Sequence, residues 1–328
     1  MFTSQYVEGQ RGPGDWGGII IAGRATVNTP SGEFLIEGGT GAIGGGGLTP
    51  NDDDSSGVMR YVRLEFSGIA FQPDNEINGL TMTGVGRKTV IEYIQVSFCG
   101  DDSFEWFGGA ADHKYLISFK PVDDDFDTDL GYSGRLQFGF SLREPNIADI
   151  SSSNGFESDN NSTGSFTARR TSPLFSNFTM VGPFPDTGAT ANSLHQRGAH
   201  LRRATLTSIY NSIFMGYRVG ALLDGSAVVG AAQNDTLQIR NSIWAARVPP
   251  NGIQTNQGGF DSEAWFLTES YGNRRYVQPS EVMLTDPFNL IAPNPVPQEG
   301  SPALTGADFT NSRLQDGFFT PTTYVGAF

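Results

Sequence analysis

An acidic segment occurs twice in this chain at one fixed spacing, and that echo constrains the fold more than any other feature. Glu92-Tyr93-Ile94 leads into Asp101-Asp102-Ser103-Phe104-Glu105, and Lys114-Tyr115-Leu116 leads into Asp123-Asp124-Asp125-Phe126-Asp127. Tyr93 and Tyr115, Asp101 and Asp123, and Phe104 and Phe126 are each 22 residues apart. A backbone that returns to the same place at this interval stacks like residues on like. Aligned carboxylates repel, raise one another's pKa or share a cation. The echo therefore bears on a ligand as well as on an architecture.

The repeat continues on both sides. Arg60-Tyr61-Val62-Arg63-Leu64-Glu65-Phe66-Ser67-Gly68 precedes Glu92-Tyr93-Ile94-Gln95-Val96-Ser97-Phe98-Cys99-Gly100 by 32 residues. Alternate positions (62, 64, 66 and 94, 96, 98) are apolar, the period of a strand with one buried face. Asn177, Asn211 and Asn241, each inside a strand-like run, follow at intervals of 34 and 30. A step of 22 with insertions at one corner predicts an all-β, right-handed parallel β-helix, in which each rung buries its face against its neighbours. Propeller blades are about twice as long, and a β-sandwich does not repeat the same side chains in successive units. The best helix candidate is short and poorly amphipathic, Ser262 to Ser270.

The 328 residues include 42 glycines and 18 prolines, and 38% are hydrophobic, a profile of many turns around a buried core. We expect one domain over 1–328, with core rungs over 57–245. Loop excursions are expected at 36–56 and 145–167, and a Pro-rich segment over 265–328 that wraps the last rungs as an irregular C-terminal cap. The 36–56 loop is glycine-rich but lacks the lysine of a P-loop. The net charge of −14 argues against nucleic acid or an anionic membrane as partner and favours divalent cations. No apolar run is long enough to span a bilayer. The single cysteine, Cys99, excludes an intrachain disulfide framework and reads as a packing residue. Met1-Phe2-Thr3-Ser4 opens straight into strand-like sequence without a signal peptide, which fits the numbering of a processed or truncated product. Asn161-Ser162-Thr163 matches a glycosylation sequon, a common pattern.

Strand alternation places Asp101, Ser103 and Glu105 on one face, with Asp123, Asp125, Asp127 and Asp129 beside them one rung on. Phe104 and Phe126 then stack inside, about 4.8 Å apart. Asp102 and Asp124 join the acids where a corner turns them outward. The candidate metal ligands are Asp101, Asp102, Glu105, Asp123, Asp124, Asp125, Asp127 and Asp129. Calcium suits them, because it accepts six to eight oxygens in flexible geometry. Zinc wants His or Cys nearby, and His113 alone is close. The EF-hand pattern is absent, since no glutamate follows Asp123 at the twelfth position. The competing reading is a set of solvated turn acids. Asp74 to Gly79 reads as a turn, with Asn78-Gly79 suited to positive φ. Gly155 to Asn160 repeats the Phe-acid element and reads first as loop, second as a further layer.

Calcium on a β-helix raises lyase chemistry, in which the cation neutralises a uronate carboxylate and a basic side chain removes the acidified proton. Lys114, Lys120 and Arg135 are weak candidates for that base, as is Arg143. The segments at 101–105 and 123–127 resemble the Asp-Asp-Gly-Phe-Asp-like calcium segment of some β-helix pectate lyases. Glycosidase chemistry needs two carboxylates at a set separation, and the ladder offers too many. Gly198-Ala199-His200 replaces the Gly-His-Gly of polygalacturonases. His113, His195 and His200 have no Ser or Cys partner in a recognisable setting. Arg197, Arg202 and Arg203 form a basic patch that either contacts an acidic glycan or balances nearby acids.

A wider resemblance covers nearly the whole chain. It rests on Gly14-Asp15-Trp16-Gly17-Gly18-Ile19-Ile20, Asn75-Glu76-Ile77-Asn78-Gly79-Leu80-Thr81, Asp101 to Gly109 and Asp124 to Gly134. Thr285 to Leu290, Gly300 to Leu304 and Tyr324-Val325-Gly326-Ala327-Phe328 extend it. These segments resemble a family of bacterial secreted and cell-surface β-helix proteins of Gram-negative bacteria, often lipoproteins. The resemblance implies the fold and an extracellular or outer-surface location, and supplies no catalytic residues. Family members usually carry further strands before the first segment and Trp-rich sequence after the last. Without them the open ends expose strand edges, which permits end-to-end or lateral self-assembly. The leading expectation is a calcium-stabilised surface protein with a structural, adhesive or glycan-contacting role, as a fibre or layer. The alternative is a calcium-dependent polysaccharide lyase.

Overall fold

The computed structural model describes residues 1–72, 75–246 and 252–328. Its chain alternates between two parallel sheets. Val90–Ser97 lies in the first, Phe104–Phe107 in the second, His113–Phe119 in the first again and Phe126–Asp129 in the second. Every such strand pairs with its equivalents one coil before and one coil after. The result is a parallel β-helix. Among the described residues the first sheet has 10 strands from Val58–Glu65 to Arg274–Tyr276, and the second has 8, from Ile19–Ala22 to Ile253–Thr255. Pairing thus runs past residues 57–245 on both sides.

The register is the one the repeat encodes. Lys114 pairs with Glu92 and Leu116 with Ile94, Arg60 with Glu92, and Phe126 with Phe104. The Phe104 and Phe126 rings stack in the interior with centroids 5.3 Å apart. Phe156 meets Phe126 edge-on at 5.6 Å, and Trp106 and Tyr132 complete a wholly buried aromatic interior. Such offset and edge-on pairs add stabilisation beyond their buried area.

One corner of the coil recurs with the same backbone turn. Tyr61, Tyr93, Tyr115, Phe138, Asn177, Asn211 and Asn241 all have φ between 50° and 64°, a left-handed conformation that costs most L-residues about 1–2 kcal/mol. The cost is offset in two ways. Tyr61, Tyr93, Tyr115 and Phe138 stack ring on ring at 4.5, 4.4 and 5.2 Å. The asparagines tolerate the conformation intrinsically, and two of them bond the C-terminal segment. Asn177 Nδ2 donates to Thr322 Oγ1 at 3.0 Å, and Asn211 both donates to and accepts from the Asp308 main chain.

The C-terminal segment runs along the outside of the first sheet. Val282, Leu284, Ala303 and Val325 pack there against Leu142, Val181, Ile213 and Met215 as a second core. Between this segment and the stacked tyrosines lies a groove of about 1060 Å³.

Several local expectations are corrected. The 145–167 stretch is not all loop, because Phe156–Ser158 forms a strand of the second sheet, paired with Phe126–Thr128. A helix occupies Ser226–Gln233, where none was expected; its Val and Ala side chains pack on the coil without a clear polar stripe. Asn78 and Gly79 do not adopt positive φ, since Gly79 continues into the strand Leu80–Thr83. Asp74 lies outside the described residues.

Candidate metal centre

The acids sit where the chain passes from the first sheet to the second. Phe98 and Lys120 turn with φ near 57°, and the next residues leave the strand pattern before Phe104 and Phe126 resume it. Asp102 Oδ1 accepts the Asp124 main-chain N–H at 2.7 Å. Asp124 Oδ1 in turn accepts the N–H of Asn154. Each carboxylate thereby holds the next coil in register. Beyond this turn, Glu105, Asp127 and Glu157 occupy successive positions of one outward column.

Two groups of carboxylates bring ligand oxygens within 4.8 Å of one another, Asp101, Asp102 and Asp123 in one, and Asp102, Glu105 and Asp127 in the other. Burial, then mutual repulsion, raises Asp101, Asp102, Glu105, Asp124 and Asp127 well above the usual carboxylate range. Asp123 is pushed up to about 7, by burial first and by Asp149 second. Without a cation, this face cannot be fully ionised near neutrality. Asp123 Oδ1, Asp127 Oδ1 and Asn154 Oδ1 are sealed from solvent and accept no hydrogen bond. Buried polar atoms are normally paired. Hard oxygen donors with unfilled coordination suit calcium better than zinc.

Not every expected ligand joins these groups. Asp125 faces inward: it accepts from Ser118 Oγ at 2.6 Å and meets the Arg143 guanidinium at 3.4 Å, both partners fully buried. Alternation fails here because the strand begins only at Phe126, so the preceding turn sends Asp124 outward and Asp125 in. Asp124 borders the groups, with both its oxygens accepting from Asn154, Oδ1 from the main-chain N–H and Oδ2 from the side-chain amide. Asp129 accepts the Leu130 N–H. Burial, then Asp159, raises it to about 7, and it belongs to neither group.

The expected bases lie elsewhere. Lys114 and Arg135 are on the first sheet, where Lys114 donates to Thr320 and Arg135 pairs with Asp112 and Asp316. Lys120 pairs with Glu144 at 3.2 Å. Arg143 lies inside the coil. His113 is an interior residue that accepts from Trp106 Nε1 at 3.0 Å, and burial lowers its pKa to about 4.

Of the basic patch, Arg202 and Arg203 are bound to Asp159, and Arg202 also to Glu157. Arg197 lies one coil on from Asn154, because Phe156 pairs with Ala199. Burial lowers its pKa, opposed by Asp224 and Glu157. Among the described residues its guanidinium has no ion-pair partner. Sequence reasoning passed over Asn154. Its signal was the third Phe-acid echo at 156–157, displaced by an insertion.

A parallel β-helix with an acid face at one sheet is the class that fold and site define. A sequence model of the family described as "Pectate-lyase like beta helix domain" matches residues 1–267, and the chain belongs to that family. No curated protein and no solved structure matches it.

Proposed function

We propose that this is a calcium-holding β-helix protein of the bacterial cell exterior whose acid face contacts acidic glycan. One observation carries the reading: the carboxylates of two successive coils converge around Asp102, with unfilled, sealed oxygens among them. Partial exposure of Asp101, Asp123 and Asp127 leaves coordination positions open to water or to a ligand carboxylate. The family supports an exterior location, and no described helix is long and apolar enough to cross a membrane. A surface fibre or layer is part of the same proposal. Helix Ser262–Phe266 covers the last strand of the second sheet, with Ser262 Oγ and Glu263 bonding Ile253. That closes one sheet end and favours lateral contacts between copies. Differential scanning calorimetry with calcium and with chelator tests the cation. An unchanged melting temperature would reduce the acids to surface charge.

A second reading, a uronate lyase, is favoured by Arg197. A cation on the acid face would hold the uronate carboxylate, and this unpaired arginine of lowered pKa is the available base. Ultraviolet detection of unsaturated uronide from a panel of polyuronates tests it. No product from any of them, with calcium bound, removes the enzyme reading.

A further inference from the structure

We infer that the acid face holds two divalent cations, with the Asp102 carboxylate shared between them; this rests on the calcium reading above. The carboxylates do not form one nest. They separate into Asp101, Asp102 and Asp123 on one side and Asp102, Glu105 and Asp127 on the other, joined only through Asp102. Calcium–oxygen bonds of about 2.3–2.6 Å mean that two ligands of one ion lie no more than roughly 5 Å apart. Each group satisfies that limit by itself, and the two together do not.

The unfilled oxygens divide in the same way. Asp123 Oδ1 belongs to the first group and Asp127 Oδ1 to the second, and each is sealed from solvent without a hydrogen bond. Asn154, only 1% exposed, turns its amide nitrogen to Asp124 and Glu157 and leaves its Oδ1 buried without a hydrogen bond. Asp102 is oriented for sharing. Its Oδ1 is held by the Asp124 N–H at 2.7 Å, which anchors one of its oxygens at the junction of the two groups. Charge points the same way. Five carboxylates make up the two groups, and one divalent ion would leave most of that charge uncompensated in a buried setting.

Isothermal titration of the chelator-stripped full chain with calcium, backed by terbium luminescence, tests the inference. Two ions per chain are expected. D123N and D127N should each leave one ion, and D102N should weaken both sites at least tenfold. Asparagine matches aspartate in shape, and circular dichroism confirms the fold of each variant. One ion per chain, lost in D123N and D127N alike, would overturn the shared arrangement while leaving the calcium reading intact. No binding by the unaltered protein would overturn both. Two ions that persist in D123N and D127N would show that the residues are wrongly assigned.

Discussion

Arg143 Nη1, wholly inside the coil, donates to the main-chain carbonyl of Asn154 at 2.8 Å. The same guanidinium also bonds the carbonyls of Val122 and Asp123. The turns that carry acids on their outer side are thus tied down from within.

Replacing Arg143 by Met should cost about 3–5 kcal/mol, because it leaves the buried Asp125 carboxylate without its counter-ion and removes three bonds to main-chain carbonyls. Urea unfolding measures it. Lysine retains the charge, but its single nitrogen cannot occupy the separate places of Nη1, which bonds Asn154, and Nη2, which bonds Val122 and Asp123. In R143K calcium affinity should fall roughly 10- to 100-fold, the usual effect of losing a group that orients metal ligands.

The cation-free protein should be most stable in mild acid. Asp123 and Asp129 titrate near 7 in the folded state, against about 3.9 in an unfolded chain. Their protonated forms therefore favour folding. That contribution is complete below about pH 4 and is lost as the pH rises through 7. In chelator the melting temperature should fall between pH 5 and 8. With calcium the fall should shrink, so the two curves diverge upward in pH. Parallel curves would count against cation binding.

Phe126 stacks on Phe104 and meets Phe156 and Phe178 edge-on. Phe126→Ala should cost about 3–5 kcal/mol through lost burial and the cavity left behind. Phe126→Leu should cost less. Denaturant titration separates them.

Asn211→Ala forces alanine into a left-handed conformation and removes hydrogen bonds to Ser176 and Asp308. A loss of about 2–4 kcal/mol is expected. Asn211→Gly keeps the conformation without strain and loses only the bonds. The difference in melting temperature between the two variants isolates the backbone term.

The coil was legible because its repeat conserves residue type as well as spacing, as Tyr93 over Tyr115 and Phe104 over Phe126 show. Phe156 was harder to place, since the insertion before it breaks the interval. The metal groups were legible as a neighbourhood but not as a geometry. Period-two alternation assigned Asp125 outward, and the turn before Phe126 reversed it. The helix Ser226–Gln233 carries no polar stripe to announce it. Arg143 leaves the first sheet one coil after Lys120, and no local pattern announces that its side chain turns inward to the Asp123 carbonyl.

The left-handed corner has a consequence for how such a molecule changes length. Each coil brings its own bend and its own stacking partner, whether Tyr, Phe or Asn, and needs nothing from distant coils to close. A whole turn could be added or removed between Tyr61 and Tyr93 without disturbing the pairing elsewhere. Growth by turns would extend the exposed ring column while the acids at Asp101–Asp129 stay where they are. The chain is modular in length, and its chemistry is confined to a few adjacent turns.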